Sequence, residues 1–127
     1  MKFTDFLPQE SVILGLAERV RNKYPEKCHC AQIAKELTSE LKARGIPAKH
    51  VVGNFVLDFP GSFHFVSKPD EETDDYTVNH DWVEVEGKII DAAASQFRKY
   101  VDCEIPDVAV VGFSNPLYVK YHPLKYV

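Results

Sequence analysis

The feature that most limits the fold of this chain is a change of hydrophobic period at Gly45-Ile46-Pro47. Upstream, from Gln9 to Tyr24, the apolar residues Ile13, Leu16, Ala17, Val20 and Tyr24 recur at spacings of three and four, the mark of an amphipathic helix, and Pro25 ends it. A second helical pattern runs from about Cys28 to Arg44, with Gly45 placed for a left-handed C-cap and Pro47 as a stop. Downstream the period is two. Lys49 to Phe59 reads as a strand with Val51, Phe55, Leu57 and Phe59 on one side, and Ser62 to Ser67 as a second strand broken from it by Pro60-Gly61. Val78 to Val85 and Lys88 to Ala92 form a hairpin pattern about Glu86-Gly87, and Asp107 to Val111 and Leu117 to Tyr121 are further strand candidates. Two helices followed by short strands with hairpin-length connections predict an α+β fold, an antiparallel sheet with helices on one face. At 127 residues, 45% of them hydrophobic, the chain is expected to form one domain, 1–127, that buries its own core without disulfide or metal.

Charge narrows the functions. Fifteen Lys and Arg against nineteen Asp and Glu give a net charge of −4, and no predicted element carries a basic stripe, so no nucleic-acid partner is expected. The N-terminus lacks a charged region followed by an apolar stretch, and no run is long enough to span a bilayer; the expectation is a cytoplasmic protein without membrane attachment. Asp70-Glu71-Glu72-Thr73-Asp74-Asp75, five acids in six residues, reads as a solvated loop. The odd number of cysteines, three, points to reduced thiols, which makes Cys28, Cys30 and Cys103 either inert core residues or reactive groups.

The second helix separates these thiols. At about 100° per residue, Ile33, Ala34, Leu37 and Leu41 all fall within about 60° of Cys30, whereas Cys28 lies about 160° away. Cys30 therefore heads the buried stripe. A thiol in the first turn of a helix meets unpaired backbone N–H groups, whose partial positive charge favours a thiolate; the plainer role is a small buried hydrophobe. Cys28-His29-Cys30 does not have zinc spacing, because neighbours at i and i+2 on a helix point apart, and no metal or other cofactor is expected.

The hairpin supplies partners. With an even loop at Glu86-Gly87, Trp82 lies opposite Asp91 and His80 opposite Ala93, so His80, Trp82 and Asp91 share one face and Val83, Val85 and Ile90 take the other. A carboxylate on one imidazole nitrogen fixes the tautomer and leaves the other nitrogen for a thiol. Cys30 as nucleophile, His80 as base and then acid, and Asp91 as orienting group then form one chain of roles. His29, His50, His64 and His122 are read as structural or surface groups.

Cys30-Ala31-Gln32-Ile33-Ala34, then Leu41, Gly45-Ile46-Pro47-Ala48-Lys49 and Val51-Val52, resembles the nucleophile segment of the transglutaminase-like branch of the papain-like cysteine enzymes. His80-Asp81-Trp82-Val83-Glu84-Val85 is similar to that family's His-x-Trp-x-Glu strand, and Ile90-Asp91-Ala92 to its aspartate segment, in the family's order. The resemblance runs from Cys30 to about Phe97. Lys49 stands where the family often has Arg, and Ala92-Ala93 follow Asp91 where a threonine is common.

The resemblance implies a papain-like core, with the nucleophile helix packed on an antiparallel sheet, and a Cys30-His80-Asp91 triad. It also implies an acyl-transfer enzyme that attacks the amide of a peptide or protein substrate. Hydrolysis, as a peptidase, amidase or glutamine deamidase, is favoured over transamidation. The alternative is a binding or inhibitory module that keeps the fold without turnover. The backbone N–H of Cys30 would be one oxyanion donor. Trp82, Tyr24 and Asn22, with Gln9 behind them, are candidates for the second donor or for substrate contact.

Overall fold

The computed structural model describes residues 2–24, 29–59 and 76–127. The strand expected over Ser62 to Ser67, the acidic block 70–75, His64 and Cys28 lie outside them. The described chain is a small α+β fold in which two helices, α1 (Glu10–Asn22) and α2 (Cys30–Ala43), pack on one five-stranded antiparallel sheet. Its strands are β1 (Lys49–Leu57), β2 (Tyr76–Val85), β3 (Lys88–Asp91), β4 (Ala109–Gly112) and β5 (Tyr121–Tyr126), in the order β4-β3-β2-β1-β5.

The helices form where the spacing places them. Ile13, Leu16, Ala17 and Val20 of α1 and Ile33, Ala34, Leu37 and Leu41 of α2 are buried. Helix α2 ends in a Schellman cap: Gly45 adopts φ 76°, the Ile46 N–H reaches Leu41 O at 3.0 Å and the Gly45 N–H reaches Lys42 O at 3.0 Å. Two cores result. The helical face of the sheet, including Val83, Val85, Ile90 and Val110, closes on α1 and α2. The opposite face, with Val51, Phe55, Val78, Trp82 and Ile89, is covered by Phe3, Phe97, Val101 and Leu117.

The β2–β3 turn fixes the register. Glu86 has φ 46° and Gly87 φ 78°, the two positive values of a type I′ turn, so the loop has two residues and Val83 pairs with Ile90, Glu84 with Ile89 and Val85 with Lys88. That pairing puts Trp82 and Asp91 on one face and Val83 and Ile90 on the other, the alternation read from the sequence.

Two expectations are corrected. Leu117 to Tyr121 is not a strand: Pro116 opens a 3-10 helix, Pro116–Lys120, whose first turn is capped by the Asn115 side chain accepting from the Leu117 N–H at 2.9 Å, and β5 starts only at Tyr121. Phe59 does not continue β1, which ends at Leu57, and is 44% exposed. A second 3-10 helix, Ala94–Tyr100, had no periodic signal; it lies where β3 leaves the sheet and delivers Phe97 to the second core. At the β4 edge the N-terminal segment is added: Val110 N–H donates to Phe3 O at 2.7 Å and Asp5 N–H to Val110 O at 2.9 Å.

Candidate active site

Asp91 is the last residue of β3, and the pairing of β2 with β3 reaches no further than Val83. Beyond that point β2 continues alone on β1, with His80 opposite Gly53. The flank of β2 left open by β3 is where the first turn of α2 arrives. Cys30, Ile33, Ala34 and Leu37 of α2 line one cleft with Asp81, Trp82, Asp91 and Ala92, and it is too narrow to hold a water molecule. Cys30 itself is half-buried.

The structure brings Cys30, His80 and Asp91 together. His80 Nε2 lies 2.7 Å from Asp91 Oδ2, and the two side chains are 0% and 1% exposed. Asp91 Oδ1 accepts from the Ala93 N–H at 2.9 Å, and Oδ2 accepts a further bond from the Tyr121 hydroxyl at 2.9 Å. Three donors thus satisfy a carboxylate with no access to water. The imidazole is boxed by aromatic rings, with Phe97 edge-on at 4.9 Å, Phe55 edge-on at 5.8 Å and Trp82 tilted at 6.0 Å.

Burial alone would push the His80 pKa down. The charge of Asp91 and its hydrogen bond, followed by interactions with Cys30, outweigh this and raise it to about 10, so the ring is an imidazolium at neutral pH. With Nε2 held by Asp91, Nδ1 is the nitrogen left over, and it is buried. Besides Asp91, the side chain that acts on the ring is Cys30, through hydrogen-bonding and charge interactions that both raise the His80 pKa.

The other candidates are placed less centrally. Trp82 is buried beside Cys30, but its ring packs edge-on against Tyr121 at 5.0 Å and its indole N–H acts on the Glu84 carboxylate, not on the thiol. Tyr24 is half-buried, with its ring 5.5 Å from that of His29 and its hydroxyl 3.5 Å from Glu36 Oε1. Asn22 and Gln9 are exposed, at the last turn and the N-cap of α1. No side chain among these is seen to aim a donor at the sulfur. The backbone supplies what is there: the first N–H groups of α2 have no partner within the helix.

Two features escaped the sequence. His50 is not a lone structural group: its Nε2 lies 2.6 Å from Asp81 Oδ2, making a second histidine–aspartate pair on the helical face. Tyr121 reaches Asp91 from β5, which among the described strands pairs with β1, so the contact depends on a strand order that spacing does not encode. Among the described residues, no group of three or more His, Cys, Asp or Glu is placed to hold a metal ion, and no helix is long and apolar enough to cross a membrane. A larger groove of about 890 Å³, lined by Asp5, Phe6, Lys88 and Phe113 among others, includes none of Cys30, His80 or Asp91. Compared with protein-family models, curated proteins and solved structures, the chain matches none.

Proposed function

We propose that this protein is a thiol-dependent acyl-transfer enzyme with a papain-like, transglutaminase-like core that cleaves an amide through a thioester on Cys30. The observation that carries the reading is a fully buried imidazolium with Nε2 held by a carboxylate, Nδ1 left over and a helix-start thiol acting on the ring.

In this mechanism the Cys30 sulfur, as thiolate, adds to the amide carbonyl of a peptide or protein substrate. The oxyanion forms against the backbone N–H groups that open α2. His80 Nδ1–H gives its proton to the amide nitrogen, the C–N bond breaks, the amine leaves, and the acyl group remains as a thioester. Neutral His80 then takes a proton from water, which attacks the thioester, releases the carboxylic acid and restores the thiolate–imidazolium pair. Asp91 holds the ring orientation throughout and balances its charge. Water as the acceptor makes the protein a peptidase, amidase or glutamine deamidase.

The test is site-resolved alkylation. Iodoacetamide modification of Cys28, Cys30 and Cys103, followed by mass spectrometry at pH 7, should show Cys30 reacting fastest. His80→Gln should slow Cys30 by about 10²-fold or more, within the range a positioned base contributes, while His50→Gln changes it less than about twofold. Equal rates in wild type and His80→Gln would sink the enzyme reading and leave a binding module with this fold.

A further inference from the structure

Asp91 belongs to a longer chain than the triad. Its Oδ2 atom accepts two bonds, from His80 Nε2 at 2.7 Å and from the Tyr121 hydroxyl at 2.9 Å, while Oδ1 takes the Ala93 N–H. Tyr121 and His80 therefore compete for the same oxygen. Tyr121 is 2% exposed, and its ring is fixed edge-on by Phe55 at 5.1 Å and Trp82 at 5.0 Å. Burial and the neighbouring Asp91 charge keep the phenol protonated well above its ordinary range, so at neutral pH the hydroxyl can only donate to the carboxylate.

We propose that Tyr121 is a positioning residue of the site: by donating to the oxygen that binds His80, it draws off part of the carboxylate's charge and sets how tightly the imidazole holds its proton. The inference rests on the reading of Cys30 and His80 as a reacting pair. It also gives that pair a control. An imidazolium bound too firmly by Asp91 would be slow to protonate the leaving amine; a second donor on Oδ2 weakens that grip without removing the carboxylate. The titratable groups facing the imidazole are Asp91 from β3, Cys30 from α2 and, through Asp91, Tyr121 from β5.

The position of Tyr121 is itself built into the fold. β1 and β5 shift register between Val52 and Gly53, and a Cβ at Gly53 would come within 2.5 Å of Trp82 Cη2 and closer still to the carbonyl oxygen of His122. Gly53 lets β5 and Trp82 approach closely enough for the Tyr121 ring to lie over β1 and β2 and reach Asp91 on β3.

Nitrogen-15 NMR of the His80 imidazole, titrated in the full chain from neutral to alkaline pH, tests the proposal without needing turnover. Tyr121→Phe keeps the ring and deletes the donor; the His80 transition should move upward by about half a pH unit or more. Site-specific 3-fluorotyrosine at position 121, a stronger donor, should move it downward, and serves alone if the Phe variant does not fold. No movement, or the same sign in both, overturns the proposal and leaves Tyr121 as packing. If Cys30 alkylation in wild type proves independent of His80, the acyl-transfer reading fails separately, and the titration still decides the role of Tyr121.

Discussion

Two histidine–aspartate pairs share strand β2 and face opposite ways. His80 with Asp91, at 2.7 Å, lies in the second core, and Asp81, the next residue, meets His50 at 2.6 Å on the helical face. Their lengths do not distinguish them. Their surroundings do: the first pair is 0% and 1% exposed with Tyr121 and Ala93 donating to the carboxylate, whereas the second is 11% and 13% exposed and has no further donor of this kind described. In the first pair the remaining ring nitrogen is itself buried, and Cys30 acts on that ring. A short imidazole–carboxylate contact thus occurs twice in one sheet, and what sets the proposed reacting pair apart is exclusion of water, a fully occupied carboxylate and a thiol that acts on the ring.

The sharpest way to break this contrast is to neutralise each carboxylate in turn. Asp91→Asn removes the charge that keeps the buried His80 ring protonated, and removing one partner of a buried ion pair costs about 3–5 kcal/mol. Asp81→Asn touches a pair that keeps some access to solvent and should cost less, about 1.5–3 kcal/mol, the worth of one hydrogen bond to a charged group. Urea unfolding of the two variants and wild type measures the difference. Similar losses in both would mean that burial does not separate the pairs, and the structural argument for His80 as the distinctive histidine would fall with it.

The hairpin arithmetic explains why one of these pairs was legible before the fold was known. An even two-residue turn at Glu86-Gly87 puts His80 and Asp91 on one face of adjacent strands, and the spacing along α2 selects Cys30 as the head of its buried stripe. Both are local periodicities. The pairing of His50 with Asp81 needed the register of β1 on β2, across a segment that includes residues 60–75, and no turn signal gives that register. Tyr121 needed β5 beside β1, a contact between the end of the chain and its middle. The segment from Leu117 has strand-like composition, yet Pro116 and the Asn115 cap turn it into a 3-10 helix first, so local hydrogen bonding prevailed over propensity there.

A gentler probe of the same contrast is pH. The folded His80 has its pKa raised from 6.5 to about 10, so below pH 6.5 both folded and unfolded chains are protonated at this site and the full stabilisation is present. Between these values the unfolded chain has lost the proton while the folded one keeps it. Stability from this group therefore falls as pH rises, by at most about 1.4 kcal/mol per pH unit, and is lost above the folded value. Chemical unfolding at pH 6.5 to 9.5 should show this decline in wild type and a flatter profile in His80→Gln. A decline of equal slope in the variant would assign it to other groups and contradict the buried imidazolium.

The smallest expected effect separates register from chemistry. Glu86 occupies φ 46°, a left-handed conformation that asparagine tolerates better than glutamate, and the first central position of a type I′ turn is where asparagine is favoured. Glu86→Asn should stabilise the protein by about 1 kcal/mol or less, read as a higher urea midpoint with an unchanged denaturant slope. The turn sets the register of β2 and β3 but touches neither His80 nor Asp91, which lie at the far end of the hairpin. Cys30 alkylation should therefore keep its wild-type rate. A gain in stability accompanied by a change in that rate would mean that relaxing the turn moves Asp91 relative to His80, and that strain at Glu86 is transmitted along the hairpin into the geometry of the pair.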